Sequence, residues 1–501
     1  MNTLKKTIVG VLTLLAAARA DAAIRDAGAY LRAQVVQRTL SNGIEVLMLD
    51  RGAAPTLALV ISFRVGSADE SYDTIGMAHM LEHILFKGTV TIGTKDYRKE
   101  KRLLDEIEAV GSTIDRLRLT SPNNAQLPSL TRRLKELEKA HSAYVVHSPY
   151  NRIYSKNGGV GFNAFTSRDQ TAYIIELPSS KLALWADLES QRLREPVMRE
   201  FYLERNAVIE ERLMRYESSG TGLLIEKFIA TAYAAHPYRH PIIGWRSNIE
   251  FLQLDRMREF FTRHYVPARM SIAIVGKQNP AETLAVLERS FGRLPKRPEP
   301  MPAAIREPAQ NGERRFEVFF DANPSLVMGW HKPTLPAKAD FACEVIASLL
   351  SDGRSSRLYR RLVLERKIAS SVSAWNGFPG SRYDNLFVVM AAPQGSHTLP
   401  EIEAAVLDEI ARLAGDLRDD ELERILNRIE TKAILGLDSN MGIASLISHY
   451  QTIMKDWRFA TSYLDDMRRI TRADVVDAIN TYLVAKNRTV GYLLRTRDQK
   501  K

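Results

Sequence analysis

The sequence predicts an α+β protein in which one strand-and-helix unit occurs twice about a proline-rich linker. Three observations predict it. Short runs rich in Val, Ile and Leu alternate with helical patterns on both sides of residue 300. Five prolines lie between Pro295 and Pro308 among Lys, Arg and Glu, the composition of an extended linker. The helix and strand at Leu254 to Gly276 return at Arg472 to Leu494, where Tyr265 falls on Tyr482 at an offset of 217 residues. Residues 35–294 are therefore read as a first unit, 295–312 as the linker and 313–497 as a second unit.

The chain opens with Lys5 and Lys6, an apolar stretch from Ile8 to Ala18, and small residues at Ala18, Ala20, Ala22 and Ala23. This pattern reads as a signal peptide over residues 1–22. The apolar stretch is too short to span a bilayer comfortably. A periplasmic or secreted protein with no stable membrane insertion after cleavage is expected. Gly43 to Asp50 and Thr56 to Val65 then read as strands, and Ile75 to Thr89 as a helix that starts after Gly76. Arg98 to Val110 and Leu127 to Val145 carry Leu, Ile and Ala at helical spacing among many charges. Ser121-Pro122-Asn123-Asn124 parts them, so residues of about 95–147 form a charged helical hairpin. It is read as solvated decoration, with a cover or a subunit contact as the functional alternative.

Ala172 to Leu177 reads as a strand, and Ser179 to Leu193, Glu200 to Tyr216 and Gly220 to Ala235 as helices. His236 and His240 stand four apart, but Pro237 and Pro241 put them in a loop. Helix Leu254 to Tyr265, strand Met270 to Gly276 and helix Ala281 to Phe291 complete the first unit. Beyond the linker, Phe316 to Phe320, Ser325 to Trp330 and Asn385 to Ala391 read as strands. Ala339 to Leu350, Pro400 to Ala414 and Asp419 to Gly436 read as helices, ahead of the repeated pair at Arg472 to Leu494.

Composition excludes several functions. A net charge of +11 raises the question of an acidic partner. The Lys and Arg residues are mostly interleaved with Asp and Glu along the chain, and no basic tail or nucleic-acid fingerprint is present, so a solvated surface is expected rather than a nucleic-acid partner. Cys343 is the single cysteine, which rules out an intramolecular disulfide. Its apolar run (FACEVIASLL) reads as a helix holding a buried, inert thiol.

The chemistry is concentrated in His79-Met80-Leu81-Glu82-His83. Residues three and four apart share one side of a helix, so His79, Glu82 and His83 project together. Two imidazoles one turn apart can chelate one tetrahedral metal ion, most often zinc. The carboxylate between them is placed to take a proton from a water on that metal. A catalytic zinc needs a third protein donor, and Glu204 and Glu211 are candidates on a downstream helix. They share a face about 10 Å apart along the axis, so one would bind the ion and the other would orient a donor. Spacing does not rank them.

His79-Met-Leu-Glu82-His83-Ile-Leu-Phe-Lys-Gly-Thr resembles the inverted zinc signature of the pitrilysin, or insulinase, family of metallopeptidases. Asn163-Ala164-Phe165-Thr166, the acidic helix Glu204 to Glu211, His236-Pro-Tyr and Tyr265 to Gly276 continue the resemblance in order. It implies two homologous α/β domains with mixed or antiparallel sheets, together forming half of a clamshell. It also implies one Zn2+ per chain on His79, His83 and Glu211, with Glu82 as general base and Glu204 behind the ligands. Asn163, Ala164, Phe165 and Thr166 would form a substrate-binding edge strand to which a peptide adds. Against the family pattern, the charged hairpin is an insertion. Val363 and Ser370 stand where the family carries an Arg and a Tyr that bind substrate and stabilise the oxyanion. The resemblance therefore implies a zinc metalloendopeptidase acting on peptides or unfolded proteins, within a hetero- or homodimer whose second, homologous subunit supplies the Arg/Tyr pair. The competing reading is a non-catalytic or partner-dependent peptide-binding subunit.

Overall fold

The computed structural model describes residues 28–52, 54–301 and 305–496. The expected signal peptide lies outside the described residues. Two sheets organise the chain. The first contains β1 (Val36–Thr39), β2 (Glu45–Asp50), β3 (Thr56–Phe63), β4 (Val160–Thr166), β5 (Thr171–Pro178) and β6 (Met270–Gly276), in the order β1-β2-β6-β3-β5-β4. The second contains β7 (Arg314–Phe320), β8 (Ser325–Lys332), β9 (Ala369–Phe378), β10 (Asn385–Pro393) and β11 (Arg488–Arg495), in the order β7-β11-β8-β10-β9. Both sheets are antiparallel except at one pair, β2 with β6 and β7 with β11.

Without β1 the two orders are the same. β6 lies between its parallel and antiparallel neighbours as β11 does, which is the correspondence that the repeated helix and strand anticipated. The α+β class and the paired organisation both hold. The central strands read as unbroken apolar runs because they are covered on both faces, and every residue of β6 is buried.

What covers those faces does not follow chain order. One face of the first sheet packs on the large core around Met77, Met80, Leu81 and Ile84. The other face, with Leu47, Leu49, Val60 and Val275, meets Ile443, Ala444, Ile447 and Trp457. Three of these belong to helix Asn440–Met454, from far beyond the linker. Reciprocally, helix Gly220–Ala232 lies before the linker but packs Leu224, Phe228 and Ile229 on Val327, Leu386, Val388 and Leu493 of the second sheet. Each half lends a helix to the other's sheet.

Local differences from the sequence reading have physical causes. The first hairpin helix runs from Tyr97 to Thr120, straight through Gly111. A β-carbon at 111 would lie 2.1 Å from Cζ of Tyr202, so the glycine admits that ring. The second hairpin helix spans Leu127–Ser142. The helix expected from Glu200 to Tyr216 is α-helical over Phe201–Arg212 and then widens into a π-turn, Leu213–Glu217. β1, β9 and helix Asn440–Met454 were not anticipated. β9 carries three serines and an exposed edge, which blurs its alternation. Cys343 is buried, and burial pushes its thiol up to about 12. Among the described residues, no helix is long and apolar enough to cross a membrane.

Buried charges fasten the hairpin to the body. The Glu100 carboxylate accepts from Arg199 Nε at 2.5 Å and Nη2 at 3.1 Å, and lies 3.0 Å from Nε2 of His141. Burial alone would raise the Glu100 pKa, but hydrogen bonds from His141, Arg199 and Thr94 outweigh it and hold the carboxyl at about 2. A depressed carboxyl contributes stability above its ordinary value near 4.5, on the order of 3 kcal/mol here, and loses it as pH falls towards 2. Denaturant unfolding at pH 7 and pH 3 should show the parent losing stability over that window. Glu100→Gln should already be about 3–5 kcal/mol weaker at pH 7, because Arg199 loses its buried partner, and should change less with pH. Parallel losses in parent and variant would exclude this account.

Candidate metal centre

Helix Met77–Leu85 starts where Gly76, at φ 92, turns the chain. A β-carbon at residue 76 would meet the Ile243 carbonyl at 2.7 Å, so a glycine is required on steric grounds as well. The Glu70 carboxylate caps this helix from outside, accepting from the N–H groups of Gly76 and Ala78 at 2.9 and 2.8 Å. The apolar residues Met77, Ala78, Met80, Leu81, Ile84 and Leu85 are all buried. Their burial fixes the helix rotation and leaves His79, Glu82 and His83 facing helix Phe201–Arg212 and β4.

The packing ranks the two acidic candidates that spacing left level. Oε2 of Glu211 lies 3.6 Å from Nε2 of His79 and 3.5 Å from Nε2 of His83. Arg215, on the π-turn, holds the other Glu211 oxygen at 2.8 Å, which turns Oε2 towards the imidazoles. Ligand atoms of His79, His83 and Glu211 all lie within 4.8 Å of one another. Glu204 sits behind this group, with Oε1 2.9 Å from Nδ1 of His83. Glu82 stands beside the three, and the Thr166 hydroxyl donates to its Oε2 at 2.5 Å.

The electrostatics suit a cation. Burial, reinforced by His83 and then Arg215, lowers the His79 pKa to about 3, so its imidazole is neutral. Burial works against the charge on Glu204, but His83 and Lys87 outweigh it and hold the carboxyl at about 2. Burial works against a charge on His83, but Glu204, then Glu211 and Glu82, outweigh it and raise the His83 pKa. With Nδ1 directed at Glu204, a cation would take the Nε2 lone pair by displacing a proton from it. Burial is the main cause that raises the Glu82 pKa, and the Thr166 hydrogen bond opposes it in part. Two imidazoles and one carboxylate form a donor set that zinc takes in open, catalytic sites. Zinc bonds of 2.0–2.1 Å imply ligand–ligand edges of about 3.4 Å, close to the separations of Glu211 from each imidazole. The residues fit the ion.

β4, which holds Asn163, Ala164, Phe165 and Thr166, is an edge strand that pairs with β5 alone among the described residues. Asn163 and Phe165 face outward and are exposed, while Ala164 and Thr166 turn in, Thr166 onto Glu82. In the second half, Val363 lies within a π-helical turn and packs against that half's core. Ser370 is exposed on β9 and its hydroxyl donates to the carbonyl of Ala392 at 3.3 Å. Neither can act as an Arg or a Tyr. Lys87, Arg215 and the contact from Thr166 to Glu82 escaped the sequence reading. A signal for Lys87 was available: it stands four residues after His83, as Glu200 stands four before Glu204.

Residues 46–125 and 146–245 match the family model described as insulinase, peptidase family M16, and residues 252–429 match one described as peptidase M16 inactive domain. The chain belongs to the M16 family. The first match passes over residues 126–145, which hold the second hairpin helix. Among curated M16 relatives, the zinc protease PqqE of Helicobacter pylori is 25% identical over 464 residues, 91% of each chain. The crystal structure of a protease from Helicobacter pylori aligns with a TM-score of 0.77 at 23% identity, covering 92% of this chain and 99% of that one. The periplasmic protease PqqL of Escherichia coli aligns at a TM-score of 0.67 and 15% identity, over 93% of this chain but 48% of that chain. The M16 fold thus occurs both in chains of this length and in chains about twice as long.

Proposed function

We propose that this M16 chain is an exported zinc metalloendopeptidase that hydrolyses peptides or unfolded proteins. One observation carries the reading: one ligand atom each of His79, His83 and Glu211 converge within 4.8 Å, with Glu211 Oε2 3.6 and 3.5 Å from Nε2 of the two imidazoles and the Glu82 carboxylate alongside. His79, His83 and Glu211 would hold one Zn2+. Bound there, zinc supplies Lewis acidity that brings the pKa of a coordinated water towards about 7 and polarises a carbonyl. Glu82 accepts the proton of the attacking water and passes it to the leaving amine. The Thr166 hydroxyl fixes the orientation of Glu82 for both transfers. Glu204 holds the tautomer and plane of His83. The free edge of β4, around Asn163 to Thr166, takes the peptide as an added strand, so main-chain hydrogen bonds bring a scissile carbonyl beside Glu82.

Val363 and Ser370 leave the second half of this chain without oxyanion donors at those positions. A homologous subunit, identical or not, supplies an Arg/Tyr pair and closes the clamshell, and the alignment of this chain to half of PqqL supports a two-part assembly. The same two residues favour one second reading, a peptide-binding subunit inert by itself. Zinc analysis of the purified chain, with cleavage of an unstructured peptide measured with and without a chelator and with and without a homologous subunit, separates them. Stoichiometric zinc and chelator-sensitive cleavage that rises with the partner is expected. Zinc-free protein would overturn the reading, and peptide binding without cleavage under every condition would favour the second.

A further inference from the structure

Lys87 follows the motif helix by two residues and stands one turn beyond His83. Its Nζ lies 2.5 Å from Oε2 of Glu204 and 3.1 Å from Oε2 of Glu200. Glu204 therefore divides its two oxygens, one on Lys87 and the other on Nδ1 of His83. Glu200 is unusual in its own right. It precedes helix Phe201–Arg212 with φ at 57, a left-handed conformation that residues with a β-carbon seldom adopt. Its side chain caps no backbone N–H and turns instead to Lys87. Two carboxylates four residues apart thus converge on one ammonium. The backbone of Lys87 is held as well, because the buried Arg199 donates to its carbonyl at 3.2 Å and is itself held by Glu100 of the hairpin.

We propose that Lys87 is a positioning residue for the metal centre: by gripping Glu200 and Glu204 it sets the acidic helix against the motif helix. That placement determines whether Glu211, two turns further along, reaches both imidazoles, and whether Glu204 presents an oxygen to His83. The charged hairpin then has a function, since through Glu100 and Arg199 it anchors the backbone that carries the clamp. The inference rests on the zinc reading above and adds a residue that contacts neither metal nor substrate.

The test is a double-mutant cycle on zinc affinity, read by competition with a chromophoric chelator. Lys87→Met and Glu204→Gln should each weaken zinc binding about 10–100-fold. Because Lys87 acts in part through Glu204, the double variant should lose clearly less than the two single losses combined. Lys87→Gln, which removes the charge but keeps a hydrogen-bond donor, gives the same cycle should the methionine variant not fold. Affinity within twofold of the parent in the Lys87 variants, or losses that add in the double variant, would overturn the clamp while leaving the zinc reading intact. Failure of the parent itself to bind zinc would overturn both.

Discussion

Replacing Glu82 with Gln is expected to leave zinc bound at the parent level while peptide turnover falls by about 10²–10⁴-fold, the span usual for loss of a general base. The geometry separates these two readouts. Glu82 is not among the three side chains whose ligand atoms converge, so its removal leaves the donor set whole. Its Oε2 is occupied by the Thr166 hydroxyl, an interaction that the Gln amide can also make through its oxygen. The substitution therefore removes the proton acceptor without disturbing its orientation. His79→Ala or His83→Ala should behave in the opposite way and lose zinc together with activity. Metal analysis and turnover measured on the same preparations decide the matter. Turnover within a few-fold of the parent in Glu82→Gln would remove Glu82 from the base role, and zinc loss in that variant would make it a ligand.

A loss of stability as large as that of Glu100→Gln is expected outside the candidate metal centre, at Phe228. This side chain is fully buried on helix Gly220–Ala232 and rests on Gly329 of β8, where a β-carbon would approach Cζ of Phe228 to 2.5 Å. It also stacks on Phe378 with ring centroids 6.4 Å apart. Phe228→Ala is expected to cost about 3–5 kcal/mol, because the ring's burial is lost and the strands around Gly329 cannot collapse into the space. Denaturant unfolding measures this directly. The exchanged helices carry a further expectation. Helix Asn440–Met454 seals the first sheet and helix Gly220–Ala232 the second, so neither half can unfold without exposing the other's sheet. Parent and variant should each unfold in one transition, with the variant's midpoint lowered. Two separated transitions, or a loss under about 1 kcal/mol, would show that the exchanged helix contributes little.

Much of the candidate site was legible because its signal is local. His79, Glu82 and His83 lie within five residues, and a helical period alone puts them on one side. The repeated helix and strand also revealed the paired architecture, since β6 and β11 are short, apolar and enter their sheets in the same way. The resemblance chose Glu211 over Glu204, where spacing left them equal. The packing supplies a physical reason: burial of Met80, Leu81 and Ile84 fixes the rotation of the motif helix, and Arg215 turns one Glu211 oxygen towards the imidazoles.

Other features left no trace in local pattern. The hairpin looked like solvated decoration because most of its charges are exposed, and nothing near Glu100 or His141 in sequence reveals that Arg199 lies between them and the motif helix. Helix Asn440–Met454 passed unnoticed, and its role as the cover of the first sheet is non-local by nature. By itself the sequence determined the α+β class, the two-unit plan and the residue types of a candidate metal site, because these follow from periodicity and spacing over a few turns of chain. Only the tertiary structure decided which helix covers which sheet, that Thr166 holds Glu82, and that Lys87 joins Glu200 to Glu204. These contacts join segments about 80 to 400 residues apart, and their geometry is set by how buried apolar faces pack together rather than by any pattern within one segment.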